Sequence, residues 1–155
     1  MTKPDQIYTS YIKTTPEKLW AAITNPEFTR QYWGGHANVS EWKKGATWEH
    51  QDTSNKLVRV AGVVLEYTPY TRLALSWASP SDTGDVSTVT FELEEIKDVV
   101  RLDVTHGNFT ADSTMAGNVS KGWPLVLSSL KSFLETGTPM DIMAIKGLCD
   151  GPKAA

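Results

Sequence analysis

The chain has 155 residues, a formal net charge of −3 at pH 7 and a pI near 5.6. That length suits a single domain with a sizeable core, and 40% hydrophobic with 21% charged residues is the composition of a water-soluble globular fold. The acidic balance, with no basic run beyond Lys43-Lys44, excludes a nucleic-acid platform, which needs a cationic surface to displace phosphate counterions.

The N-terminal MTKPDQIYTS has no apolar h-region and no stretch approaches bilayer length, so a cytoplasmic protein without a membrane span is expected. Ile7 to Lys13 alternates as a strand. Thr14-Thr15-Pro16-Glu17 then starts a helix: a threonine hydroxyl caps free amides, proline suits the first turn and glutamate favours the positive helix end. Leu19, Trp20 and Ile23 form its buried face. Asn25-Pro26-Glu27 repeats the signal, so a second short helix carries Phe28, Tyr32 and Trp33 up to Gly34-Gly35.

From Ala37 the period becomes two. Strands are expected over Ala37–Trp42, Thr47–Gln51, Leu57–Tyr67, Arg72–Ala78, Ser87–Glu94 and Val99–Thr105, with Ser79–Asp85 a polar loop. Gly62, inside the third of these, marks a bulge or a close approach by another part of the chain. The short turns imply antiparallel hairpins.

A helix over Asn118–Thr136 follows. Val119, Trp123, Val126, Leu127, Leu130, Phe133 and Leu134 form one apolar stripe, and Ser120, Lys121, Ser128, Ser129, Lys131, Ser132 and Glu135 lie opposite. Pro124 predicts a break or kink between Lys121 and Pro124, and Gly137 closes the helix. Residues 1–138 are read as one domain. Residues 139–155 are read as a tail that docks weakly or forms one loose turn, with its last residues disordered.

A bent antiparallel sheet cannot cover its own concave face, and one long helix across the mouth leaves a space between them. Six tryptophans in 155 residues also ask for a thick core or an aromatic cavity. Tyr32, Trp33, Trp48, Trp77, Phe91, His106, Trp123 and Leu127 are the candidate lining residues. Either they fill the space or they surround a ligand site. His106 shares a phase with Leu102 and Val104: facing inward it bonds a ligand oxygen or acts as a base, and the alternative is a satisfied histidine at the rim. His50 is expected to be exposed at a strand end, His36 solvated, and Glu66 has a chance of reaching the rim.

No catalytic residue is assigned. The chain lacks H-E-x-x-H, G-x-S-x-G, a phosphate loop and a dinucleotide fingerprint, so no metal and no cofactor are expected. Cys149, the one cysteine, cannot close an intrachain disulfide, in keeping with a reducing compartment.

The pattern resembles the START and birch-pollen-allergen-like helix-grip superfamily, in particular the branch named after the activator of Hsp90 ATPase. The matching residues are Thr15-Pro16-Glu17-Lys18-Leu19-Trp20, Ala22-Ile23-Thr24, Pro26-Glu27 and Tyr32-Trp33, then Gly62-Val63-Val64-Leu65-Glu66, Pro69, Leu73, Trp77 and Thr90-Phe91-Glu92-Leu93. They end with Gly122-Trp123-Pro124-Leu125-Val126-Leu127, Leu130-Lys131 and Leu134-Glu135-Thr136-Gly137. The resemblance spans roughly residues 5 to 138. It implies an α+β helix-grip fold: a bent antiparallel sheet of about six to seven strands, two short helices after the first strand, and a long C-terminal helix across the concave face. It also implies three functional alternatives. The first is binding of a hydrophobic or amphipathic small molecule, the second a stress-response role beside the chaperone Hsp90, and the third polyketide cyclase-like catalysis by His106 with a second polar group. The protein is expected to be a monomer or homodimer.

Overall fold

The computed structural model describes residues 3–149. Its elements run β1 (Gln6–Ile12), α1 (Pro16–Thr24), α2 (Pro26–Tyr32), β2 (His36–Ser40), β3 (Thr47–Asp52), β4 (Val58–Thr68), β5 (Arg72–Ser79), β6 (Asp82–Ile96), β7 (Val99–Gly107), α3 (Met115–Thr136) and α4 (Ile142–Cys149). The fold is α+β, with all seven strands in one antiparallel sheet of order β1-β7-β6-β5-β4-β3-β2. Helices α1 and α2 are the crossover that carries the chain from one edge of this sheet to the other. Among the described residues no helix is long and apolar enough to cross a membrane.

The two short helices form where the capping chemistry predicts. Thr15 Oγ1 accepts from the Lys18 amide, and Asn25 ends α1 while its side chain accepts from the Glu27 amide to start α2. The backbone of β4 comes close to that of β5 at Gly62. A Cβ there would lie 2.0 Å from the Ser76 carbonyl oxygen, so this glycine marks a close approach. Register shifts at His50/Gln51, Val64/Glu66 and Trp77/Ser79 interrupt the ladders, and such irregularities bend and twist the strands that carry them.

Inward-facing Val64, Leu75, Val89, Phe91, Leu102 and Val104 form the core with Trp123, Val126, Leu127 and Leu130 of α3. Lys131 and Glu135 tie the far end of α3 to β1: the Lys131 ammonium donates to the Tyr11 carbonyl, and Glu135 accepts from the Lys13 amide at 2.8 Å.

Three local expectations are corrected. Residues 79–85 are not a loop: Ser79 pairs with Asp82, and the polar residues belong to a hairpin extension wet enough to need no apolar side. Helix α3 starts at Met115, before the expected Asn118, and runs unbroken through Pro124. Ser129, placed by periodicity on the wet side, is fully buried, because it holds the segment before α4: its hydroxyl donates to the Met140 carbonyl and accepts from the Met140 amide. Glu66 pairs with Arg72 at 2.9 Å, within a cluster with Glu92, and lines none of the cavity described below. Beyond residue 138, Met140 packs on the core and Ile142 is buried. The expected disorder of the last residues falls outside the described residues.

Candidate functional site

Between the concave face and α3 lies a cavity of about 170 Å³. Trp33, just after α2, Trp77 of β5 and Trp123 of α3 form its aromatic walls. Their ring centroids are 5.5 Å apart for Trp33–Trp123, 5.7 Å for Trp77–Trp123 and 6.5 Å for Trp33–Trp77. Those spacings are the range in which offset and edge-on aromatic contacts are favourable, so the three rings brace one another. A second chamber of about 340 Å³ shares Trp33, His50, Gly122 and Val126 with the first. It extends to His36, Asp52 and Arg59 on one side and Ile142, Met143 and Lys146 of α4 on the other. Gly122 sits at the junction, and a Cβ built there meets no atom within 4 Å.

Two buried histidines lie on this side of the sheet, and their hydrogen bonds differ. His106 Nδ1 is 3.0 Å from the Trp123 indole nitrogen, which can only donate, so Nδ1 is the bare nitrogen of the ring. Its Nε2–H therefore donates to Ser87 Oγ at 2.7 Å, and the Ser87 hydroxyl donates to the Trp77 carbonyl at 3.4 Å. Both ring nitrogens are committed. Burial lowers the His106 pKa to about 4, so the ring is neutral at pH 7.

His50 is the opposite tautomer. Its Nδ1 lies 2.7 Å from Asn38 Oδ1, an atom that only accepts, so Nδ1 carries the proton. The remaining nitrogen, Nε2, has no protein partner among the described residues. It is not one of the sealed unpartnered atoms, which are Thr14 Oγ1 and the Trp77 indole nitrogen, and His50 lines both chambers. His50 thus gives the cavity a hydrogen-bond acceptor. Burial first, and then the charge of His36, lower its pKa to about 3, which keeps that lone pair free at neutral pH. His36 stacks on His50 with centroids 4.9 Å apart, and its Nδ1 is held by the Gly34 carbonyl at 3.0 Å.

Of the residues expected to line a cavity, Trp33, Trp77 and Trp123 come together there. Tyr32 lies behind them, with its hydroxyl donating to the Ala22 carbonyl at 2.8 Å. Trp48 lies beneath Trp77 and donates to the Ser76 carbonyl at 2.7 Å. Phe91 meets Trp123 edge-on at 6.0 Å, and Leu127 is in the core. His106 is shielded by Trp123 and Phe109. His50 and His36 correct the expectation of exposure: His50 is 7% exposed and His36 half-buried, because Trp33 and the sheet edge fold over the end of β3. The alternation that put His50 in phase with Trp48 was the signal for it. Among the described residues no cluster of three or more His, Cys, Asp or Glu is arranged to hold a metal ion.

A family model described as "Activator of Hsp90 ATPase homolog 1-like protein" matches residues 13–135. No curated protein matches the sequence. The crystal structure of CalU16 from Micromonospora echinospora is 23% identical with a TM-score of 0.71, over 94% of this chain and 85% of that one. The solution structure of the Aha1 dimer from Colwellia psychrerythraea is 22% identical with a TM-score of 0.71, over 87% of this chain and 98% of that one. The solution structure of ChR145 from Cytophaga hutchinsonii is 26% identical with a TM-score of 0.67, over 86% of this chain and 95% of that one. These likenesses concern the fold.

Proposed function

This chain belongs to the Activator of Hsp90 ATPase homolog 1-like family, and we propose that it binds a hydrophobic or amphipathic small molecule between the curled sheet and α3. The observation that carries this reading is the cavity walled by Trp33, Trp77 and Trp123, with the unpaired Nε2 of His50 beside them. An apolar cavity of about 150 Å³ is enough to hold a benzene-sized molecule. The inner chamber matches that size, and the outer one gives a longer ligand room to continue. The indoles would supply contact area and shape, and His50 would fix orientation by accepting one hydrogen bond from the ligand.

The exterior gives less support to a chaperone-facing role. Exposed Ile7 and Tyr11 lie on β1 and exposed Val63 and Leu65 on β4, at separate places in the strand order. Between them β5, β6 and β7 carry Arg72, Glu92, Arg101 and Asp103, paired in ion clusters that also take in Glu66 of β4. Catalysis by His106 has no free nitrogen to work with.

The test is titration with 2-naphthol while the indole N–H resonances are followed by NMR. Trp33, Trp77 and Trp123 should shift, and Trp20, which packs on Tyr67 and Tyr70, should not. The variant Gly122→Leu should fill the junction and abolish the shifts. Its folding should be unimpaired or improved by about 0.5–1 kcal/mol, since glycine is a poor residue inside a helix. Uniform shifts, or none, would contradict the reading.

A further inference from the structure

We propose that the ligand is an amphipathic acid, with its apolar body among the indoles and its carboxylate in the outer chamber between Arg59 and Lys146. This rests on the binding role proposed above and narrows it to a chemical class.

The chain has four arginines: Arg30, Arg59, Arg72 and Arg101. Arg30 contacts Glu27 at 2.9 Å, Arg72 contacts Glu66 at 2.9 Å and Glu92 at 3.0 Å, and Arg101 contacts Asp103 at 3.3 Å. Arg59 differs. Its one acidic neighbour among the described residues is Asp52, at 3.8 Å, beyond hydrogen-bond distance. The guanidinium whose donors are not taken by a carboxylate is also the one that lines the cavity. A guanidinium presents paired N–H donors in the geometry that a carboxylate accepts.

Lys146 of α4 also lines this chamber, and it forms no ion pair with a carboxylate among the described residues. Asp52 is the one carboxylate of this chamber. Ser54 binds Asp52 Oδ1 through both its amide and its hydroxyl, which keeps the carboxyl ionised, while Oδ2 faces His36 at 4.0 Å and Arg59. Arg59 and Lys146 against Asp52 leave the chamber with one positive charge in excess, and the inner chamber contributes no charged side chain. The cavity is therefore apolar at one end and cationic at the other, with the shared wall of Trp33, His50, Gly122 and Val126 between them. A molecule complementary to both ends carries an anion on an apolar body.

The experiment compares 2-naphthoate with its neutral analogue 2-naphthamide by calorimetry at low salt. Wild-type protein should bind the acid about tenfold more tightly than the amide, and the preference should shrink as salt is added. The variants Arg59→Gln and Lys146→Gln should each reduce it by weakening the acid more than the amide, with thermal melting unchanged. Equal binding of acid and amide by the wild type, or a preference that survives both variants, would overturn the acid proposal and leave the cavity reading intact. Failure of naphthoate, naphthamide and naphthol alike would instead overturn the cavity reading on which it rests.

Discussion

His106 and His50 are both buried on the concave side of one sheet, and both are neutral at pH 7, yet they serve different ends. His106 closes a relay from the Trp123 indole through Ser87 to the Trp77 carbonyl, with every donor and acceptor of the ring used. His50 spends one nitrogen on Asn38 and leaves the other facing a cavity. A histidine with both nitrogens satisfied is a structural fastener, and one left half-satisfied beside a space is a handle for something that enters it. Burial alone does not separate the two roles. The count of committed lone pairs and protons does.

The difference can be broken most forcefully from the His106 side. His106→Phe leaves the Ser87 hydroxyl and the Trp123 indole N–H buried without their partner and should destabilise the fold by about 2–4 kcal/mol in urea unfolding. Naphthol binding by the fraction still folded should persist.

Acid acts on both histidines. Each has a folded-state pKa below its unfolded value near 6.5, so the unfolded chain binds more protons over the interval between the two. The stability that goes with keeping the rings neutral is fully present above pH 6.5. It is lost as pH falls toward 4 for His106 and toward 3 for His50. Each ring contributes a slope of up to about 1.4 kcal/mol per pH unit inside that window. Unfolding free energies measured from pH 7 to 4 should therefore fall more gently in His106→Phe than in wild type.

The smallest stability effect and the clearest functional one belong to His50→Phe. Only the Asn38 carbonyl loses its partner, at a cost of about 1 kcal/mol, and the ring volume is kept. Naphthol affinity should drop about tenfold, while naphthalene, which offers no proton to Nε2, should bind as before.

Much of this architecture is legible in the residues. The paired cap signals at Thr15 and Asn25, the alternation of Val89, Phe91 and Leu93, and the stripe from Val119 to Leu134 each specify an element by local physics. The hairpin at residues 79–85 is hidden because its residues up to Gly84 are polar or exposed and show no apolar alternation. Ser129 and Asp85 were hidden for another reason. Ser129 takes its partner from Met140, and Asp85 accepts from the Thr114 and Met115 amides at the start of α3, contacts that exist only once distant segments meet. The burial of His50 is hidden in the same way. Its phase was readable, but the cover over its strand end comes from Trp33. Three of the indoles around the cavity could be named in advance, whereas its acceptor could not, because a tautomer depends on a partner twelve residues away.

The most direct test is a nitrogen-15 spectrum of the imidazole side chains, recorded with and without 2-naphthol. Without ligand, His50 should be the Nδ1–H tautomer and His106 the Nε2–H tautomer, and naphthol should move the Nε2 signal of His50 while leaving both nitrogens of His106 in place. Matching tautomers in the two rings, or a response from His106 with none from His50, would contradict the account.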